Sequence, residues 1–264
     1  MDTYVCTTCG MQYSPSPEPP LRCPICEDER QFIGHAGQQW IPFADLPGRY
    51  HNVFFDEGPG LWGIITEPKF AIGQRALLVQ AGGRNILWDC VSLLDRDTVD
   101  MVRALGGISA IAISHPHYYA SMIEWSRAFD APIYIHADDR EWVQRGGPEI
   151  CFWEGETYSL GDGITLIRVG AHFVGFQVLH WEGAGALLTG DLPQVCADRR
   201  WVSFMYSYPN LIPVSASTVR GLVAALEPWS FRKLYGAWRR FTVQSDAKNA
   251  VRASAERYLR ARGE

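Results

Sequence analysis

A chain of 264 residues, 47% of them hydrophobic, is long enough for one sizeable α/β domain with its own core plus a small appendage. Its net charge of −5 argues against a general polyanion-binding protein, and no apolar run reaches the ~20 residues needed to cross a bilayer. The first residues, Met-Asp-Thr-Tyr, lack the basic and apolar regions of a signal peptide, so the seven cysteines point to metal or free thiols in a reducing, cytoplasmic compartment.

In chain order, residues 1–34 stand apart as a cysteine-bearing segment with a Pro/Ser stretch from Ser14 to Pro20. Residues 35–50 read as a linker that packs on the main domain through Trp40 and Phe43, and residues 51–264 as that domain. Arg75–Gln80 and Asn85–Cys90 are predicted strands about the Ala81-Gly82-Gly83-Arg84 turn. Val99, Met101, Val102 and Leu105 have helical spacing that stops at Gly106-Gly107. Ile108–Ile113 is a buried strand by its continuous apolar run. Ser121–Phe129 returns to helix, Pro132–Ile135 to strand, and Asp138–Gln144 to a short helix. Thr165–Val169, Phe176–Trp181 and Ala186–Leu188 follow as strands, then Ser217–Leu226 and Ala247–Arg260 as helices. Residues 228–264 carry nine Lys/Arg against three acids, read as the solvated face of a C-terminal helix in preference to a nucleic-acid patch. Strands alternating with helices, with polar residues just past the strands, predict a layered α/β fold whose chemistry sits in loops at one edge.

Cys6-Thr7-Thr8-Cys9 and Cys23-Pro24-Ile25-Cys26 are two C-x2-C knuckles separated by thirteen residues. Each knuckle turns two thiolates toward one ion, and two complete a tetrahedral site. A segment this short cannot build an adequate core alone, so a metal is the natural staple. The segment resembles a zinc ribbon and also a rubredoxin, which would hold iron. Glu27 stands where a rubredoxin places glycine, which favours structural Zn2+. Such a closed site has no open position and is not itself catalytic. Of the other cysteines, Cys90 ends a buried strand and reads as core.

His115 and His117, at i and i+2 after a strand, can turn both imidazoles to one side. His172 follows 55 residues after His117, and Asp191, in Leu-Thr-Gly-Asp, 19 after that. Three neutral imidazoles suffice for one Zn2+ or other divalent ion and leave a fourth position for water or substrate. Direct binding by Asp191 would fill that position. His136 and His180 read as structural. Tyr118, Tyr119, Phe173 and the run Trp201–Pro209 add aromatic side chains: pocket wall or core packing for the two tyrosines, packing for the others. Arg239 and Arg240 either hold a substrate carboxylate or phosphate or lie on the surface.

Ser114-His115-Pro116-His117-Tyr118-Tyr119-Ala120, Gly170-Ala171-His172-Phe173 and Leu188-Thr189-Gly190-Asp191 resemble the motifs of the metallo-β-lactamase superfamily over roughly residues 51–240. The resemblance implies a four-layer αβ/βα sandwich behind the N-terminal ribbon. It makes Asp89 a structural residue behind the ligands, His115, His117 and His172 ligands of a first metal, and Asp191 the ligand that bridges two metals. Tyr119 and Ala120 stand where the motif H-x-H-x-D-H has Asp and His. Tyr235-Gly236-Ala237-Trp238 stands where the last His is expected, and no histidine follows His180. All three departures fall on the second metal, so the expectation is one ion.

Three functions follow as expectations. The first is a mononuclear metallohydrolase acting on an ester, thioester or lactone of small size, with Asp191 catalytic and Tyr119 donating to a developing oxyanion. The second keeps the fold as a non-catalytic binding or scaffold module. The third is an iron redox protein.

Overall fold

The computed structural model describes residues 1–263. At the N-terminus, strand β1 (Tyr4–Cys6), a single helical turn α1 (Pro24–Glu27) and strand β2 (Trp40–Pro42) form the ribbon. β1 and β2 pair antiparallel, Val5 opposite Ile41. The ribbon therefore extends past residue 34: the segment expected to be a linker supplies its second strand. Ile41 and Leu46 pack with Val5, Phe70 and Leu93, so the same segment also ties the ribbon to the main domain.

The first large sheet contains β3 (His51–Gly58), β4 (Leu61–Glu67), β5 (Ala76–Ala81), β6 (Arg84–Trp88), β7 (Ala110–Ala112), β8 (Ile133–His136) and β9 (Ile150–Trp153), in that spatial order. Pairing is antiparallel through β6 and parallel from β6 to β9. The crossovers are helices α2 (Arg96–Ala104) and α3 (Met122–Phe129). Asp95 starts α2 by accepting the Thr98 N–H at 2.9 Å, an N-cap that satisfies one of the first-turn donors. Gly107 ends it by donating to Val102 O at 2.9 Å. The expected helix after β8 is a 3-10 segment, Ala137–Trp142.

The second sheet runs β10 (Thr157–Gly161), β11 (Ile164–Arg168), β12 (Gln177–Trp181) and β13 (Ala186–Gly190). After β13 come two small hairpins, β14 (Gln194–Val195) with β15 (Val202–Ser203) and β16 (Met205–Ser207) with β17 (Ile212–Pro213). Helix α4 (Ala216–Leu226) then leads to β18 (Lys233–Gly236), which pairs parallel to β13; β19 (Thr242–Val243) and helix α5 (Ala247–Ala261) finish the chain.

Period-two alternation sorts the side chains into layers. Leu77, Val79, Ile86, Trp88, Ala110 and Ala112 point to the second sheet and meet Ile164, Leu166, Leu179 and Leu188. Their neighbours Leu78, Leu87, Ile111 and Ile113 point the other way, onto Val102 of α2 and Met122, Ile123 and Trp125 of α3. On the outer face of the second sheet, Ile167, Val178, Leu187 and Leu234 pack on Val219 and Leu222 of α4 and Val251 and Ala255 of α5. The result is a helix–sheet–sheet–helix sandwich, as expected. No helix among the described residues is long and apolar enough to cross a membrane.

Candidate metal centres

In the ribbon the four thiols converge. Cys6 Sγ lies 3.6 Å from Cys26 Sγ, and Cys9 Sγ 3.8 Å from Cys23 Sγ. A tetrahedral ion with metal–sulfur bonds of about 2.3 Å has edges of about 3.8 Å, so the cluster matches the cage of a single ion. Gly10 N–H donates to Cys6 O, and Cys26 N–H to Cys23 O, both at 2.9 Å, which folds each knuckle back on itself. The Gln38 side-chain amide donates to Cys6 Sγ at 3.1 Å. The four thiols share their protons: Cys6 and Cys23 are held below the ordinary thiol range and Cys9 and Cys26 above it, chiefly by hydrogen bonds to one another.

The second centre lies where the two large sheets meet. β7 delivers Ser114 and His115, and the 3-10 turn Pro116–Tyr118 swings His117 to the same side. His172 sits in the tight loop after β11, its N–H donating to Gly170 O at 3.2 Å. β13 delivers Asp191 through Gly190, whose φ is +60°. A Cβ there would stand 2.5 Å from Ser114 Oγ, so only glycine lets the two strand ends approach.

His115 Nε2 lies 3.2 Å from Asp191 Oδ2, His172 Nε2 3.8 Å and His117 Nδ1 3.9 Å. His172 Nε2 and His117 Nδ1 are 3.3 Å apart. Metal–nitrogen bonds of about 2.0–2.1 Å in a tetrahedron give edges of about 3.3–3.4 Å. The four donor atoms therefore form a slightly open version of that cage, and His115 Nε2 is buried without a hydrogen-bond partner. The residues fit one metal ion.

Electrostatics prepare the ligands. Burial, partly opposed by Asp191, lowers His115 to about 4. Burial and the neighbouring His115 and His117 drive His172 well below its ordinary range. Both rings are thus neutral at physiological pH and carry free lone pairs, as metal binding requires. Burial alone would raise the Asp191 carboxyl, but the field of His115 and contacts from His115 and His117 hold it well below the usual carboxylate range. Asp89 lies behind the ligands as expected: its Oδ1 accepts from Ser114 N–H at 2.7 Å and Ser114 Oγ at 2.8 Å. With Ser114 Oγ donating to Asp89, its lone pair faces His115 Nδ1 at 2.8 Å. That fixes His115 as the Nδ1–H tautomer and leaves Nε2 for the ion.

Tyr119 is not where the sequence reading put it. Its hydroxyl donates to Asp139 O at 3.2 Å, away from the ligands. Tyr118 instead reaches Asp191 Oδ1. Successive side chains on a 3-10 turn diverge by about 120°, so only one of the two tyrosines can face the centre. Both are fully buried and neither walls an open pocket. Tyr208, read from the sequence as packing, also reaches the centre: its hydroxyl donates to Asp191 O at 2.8 Å. His136 and His180 lie outside the cluster, bonded to the carbonyls of Gly155 and Ser230 at 3.0 and 2.9 Å.

The ribbon folds over this centre. Gln12 N–H donates to Ala120 O at 3.0 Å, and Ser92 Oγ to Gly10 O at 2.8 Å. On the other flank Asn210 Nδ2 donates to Glu29 O at 2.8 Å, and Ser207 Oγ to Arg30 O at 3.0 Å. Between them the Arg30 guanidinium stacks 4.0 Å above the Phe173 ring, beside Tyr206 and Trp142. Phe173 in turn touches all three histidines. Arg30 carries no recognisable sequence signal, because its aromatic partners come from distant loops.

Fold and site together define a layered metallohydrolase-type sandwich with one His3Asp metal centre. The family model described as "Metallo-beta-lactamase superfamily" matches residues 72–228, and the chain belongs to that superfamily. YmaE of Bacillus subtilis (strain 168) is 51% identical over 267 residues, covering 99% of this chain and 97% of that one. Among solved structures, VMB-1 is similar with a TM-score of 0.60 at 14% identity, covering 80% of this chain and 98% of its own. The metallo-β-lactamase FIM-1 from Pseudomonas aeruginosa, in its mono-zinc form, gives 0.58 at 14%, with 78% and 96% covered. The chemotaxis sensor ODP, solved as a peroxy diiron species, gives 0.56 at 17%, with 77% and 94% covered. At these identities the structures establish the fold alone.

Proposed function

We propose that the chain is a mononuclear, zinc-dependent hydrolase of a small ester, thioester or lactone, stabilised by a structural zinc in its ribbon. The observation that carries this is the convergence of His115, His117, His172 and Asp191 on one point, with Tyr119, Ala120 and the stretch Tyr235-Gly236-Ala237-Trp238 in place of ligands for a second ion. A divalent cation there supplies Lewis acidity toward a carbonyl oxygen and lowers the pKa of water. The protein's own residues do the rest. Asp191, ionised at neutral pH, would help to hold the ion and orient an entering water beside it. Tyr118, kept protonated by burial and by Asp191, donates to Oδ1 and holds the carboxylate in place. Phe173 and Arg30 keep bulk water out, and substrate enters when Glu29–Gln31 part from Ser207 and Asn210. The free state of all seven cysteines supports a reducing, cytoplasmic location.

A second reading, a non-catalytic metal-stabilised binding module, is favoured by one observation. The four ligand residues are at most 4% exposed, and their donors already complete a tetrahedron, the mark of a closed site.

Metal content per chain, measured on wild type, a Cys6→Ser/Cys9→Ser variant and His117→Ala, together with a panel of ester, thioester and lactone substrates, tests both. Two zincs in wild type, one in each variant, and turnover that His117→Ala abolishes support the hydrolase. The same metal counts without turnover favour the module. Visible absorption from iron in either site would overturn the zinc assignment.

A further inference from the structure

A cleft of about 880 Å³ lies apart from the metal ligands. One wall is the end of β4 and the loop after it, with Ile65, Pro68 and Lys69; the other is Trp238, Arg239 and Phe241 beyond β18. Gln194 closes the floor, three residues past Asp191, and its side-chain oxygen is buried without a hydrogen-bond partner. The cleft thus opens on the same sheet edge as the metal centre but is built from other side chains.

Its charges are arranged for an anion. Arg239 forms no ion pair among the described residues; its guanidinium carbon sits over the Phe55 ring, 4.5 Å from the ring centre. A guanidinium whose partner is an aromatic ring keeps N–H donors for an anion, and its fork can grip carboxylate or phosphate in two places. Lys69 also forms no ion pair among the described residues, and its stem lies where a Cβ on Gly73 would be, 2.8 Å from Lys69 Cε. Gly73, at φ +78°, thereby lets Lys69 lie against the cleft wall. Glu67 and the exposed His51 also line the cleft, and Glu67 is the one acid among the lining residues. The remaining surface is mainly apolar and aromatic.

We propose that this cleft binds a small amphipathic anion, with an aromatic or alkyl body against Trp238 and Phe241 and a carboxylate or phosphate group at Arg239 and Lys69. A few charged groups at the rim of an apolar cleft fix the orientation of such a ligand, while the apolar wall supplies most of the contact area. Binding here stands whether or not the histidine centre turns over substrate.

The full-length, metal-loaded protein is titrated with 4-phenylbutyrate, phenyl phosphate and uncharged 4-phenylbutanamide. Affinity is read by calorimetry and location by the Trp238 indole N–H resonance, assigned with Trp238→Phe. The expected result is that at least one anion binds about tenfold or more tighter than the amide and shifts that resonance. Arg239→Gln should weaken it about tenfold, the loss of a charge-assisted pair. Lys69→Gln is the second, independent variant and should weaken it in the same direction. Both side chains are exposed, so the fold is kept. Equal affinity for anions and amide, binding that leaves the Trp238 resonance unmoved, or no binding at millimolar probe would each overturn the proposal.

Discussion

The backbone N–H of Gln12 donates to the carbonyl of Ala120 at 3.0 Å, so the ribbon is docked on the residue that stands where the superfamily's H-x-H-x-D-H motif has its last histidine. The Gln12 side chain extends the contact to Glu124 at 3.3 Å and to Arg145, which itself bonds Glu124 at 2.7 Å. Loss of the second-metal residues and acquisition of a ribbon contact thus occupy the same stretch of chain.

Writing the motif back is therefore expected to fail. Ala120 is buried at φ +44°, and a histidine there must fit both a left-handed backbone and a filled space. Tyr119→Asp/Ala120→His should lose about 2–4 kcal/mol of stability and gain no third metal. Urea denaturation and element analysis of the purified variant check both.

The two adjacent tyrosines should separate cleanly. Tyr118→Phe removes the donor to Asp191 Oδ1 and is expected to lower hydrolysis at least about tenfold. Tyr119→Phe removes only the bond to Asp139 O and should cost about 1–2 kcal/mol of stability with turnover retained. Steady-state kinetics on the substrate identified by the panel, with a denaturation curve for each variant, decide between them.

Arg30 bonds the ribbon to the aromatic box above the histidines. Arg30→Ala removes cation–π contacts worth about 1–2 kcal/mol. Opening of the ribbon should become roughly tenfold more frequent, the factor that 1.4 kcal/mol confers. Chelator extraction from the histidine centre should accelerate by about as much. Cobalt-loaded protein reports this directly, since thiolate and histidine sites absorb at different wavelengths.

Much of this site is legible in the sequence, and the limits are physical. The ligands can be read because their types and order are constrained by the ion, and the cysteine knuckles because their spacing is. The strands from Ala76 to Gly190 that pack on both faces announce themselves as apolar runs. β3 and β4 do not: β3 is an edge strand with half-exposed aromatics on both faces, and its alternation is blurred. Tyr118 and Tyr119 can be told apart only by the geometry of a single turn. The position of Arg30 depends on Trp142, Phe173 and Tyr206, each more than a hundred residues away in the chain.

Stability should depend on pH through Asp139. Burial raises its carboxyl to about 7, against the 3.8 of an unburied aspartate, although Gly175 N–H donates to it at 2.7 Å. Between the two values the folded state holds a proton that the unfolded chain has released, so the contribution of Asp139 to stability falls as pH rises from about 4 to 7 and levels off above. Asp139→Asn keeps an acceptor for Gly175 and should remove that slope. The variant should gain on the order of 2 kcal/mol relative to wild type between pH 5 and pH 8 in paired denaturation curves.

His115 and His117 come from the seven-stranded sheet, whereas His172 and Asp191 come from the six-stranded one. A bound ion would therefore act as a rivet between two halves of the molecule that are adjacent in space but contiguous in sequence only through the exposed Glu154–Glu156 link. Cleaving that link should leave two fragments held together by the apolar layer between the sheets, with divalent metal tightening their association, so that a chelator would weaken the nicked protein more than the intact one.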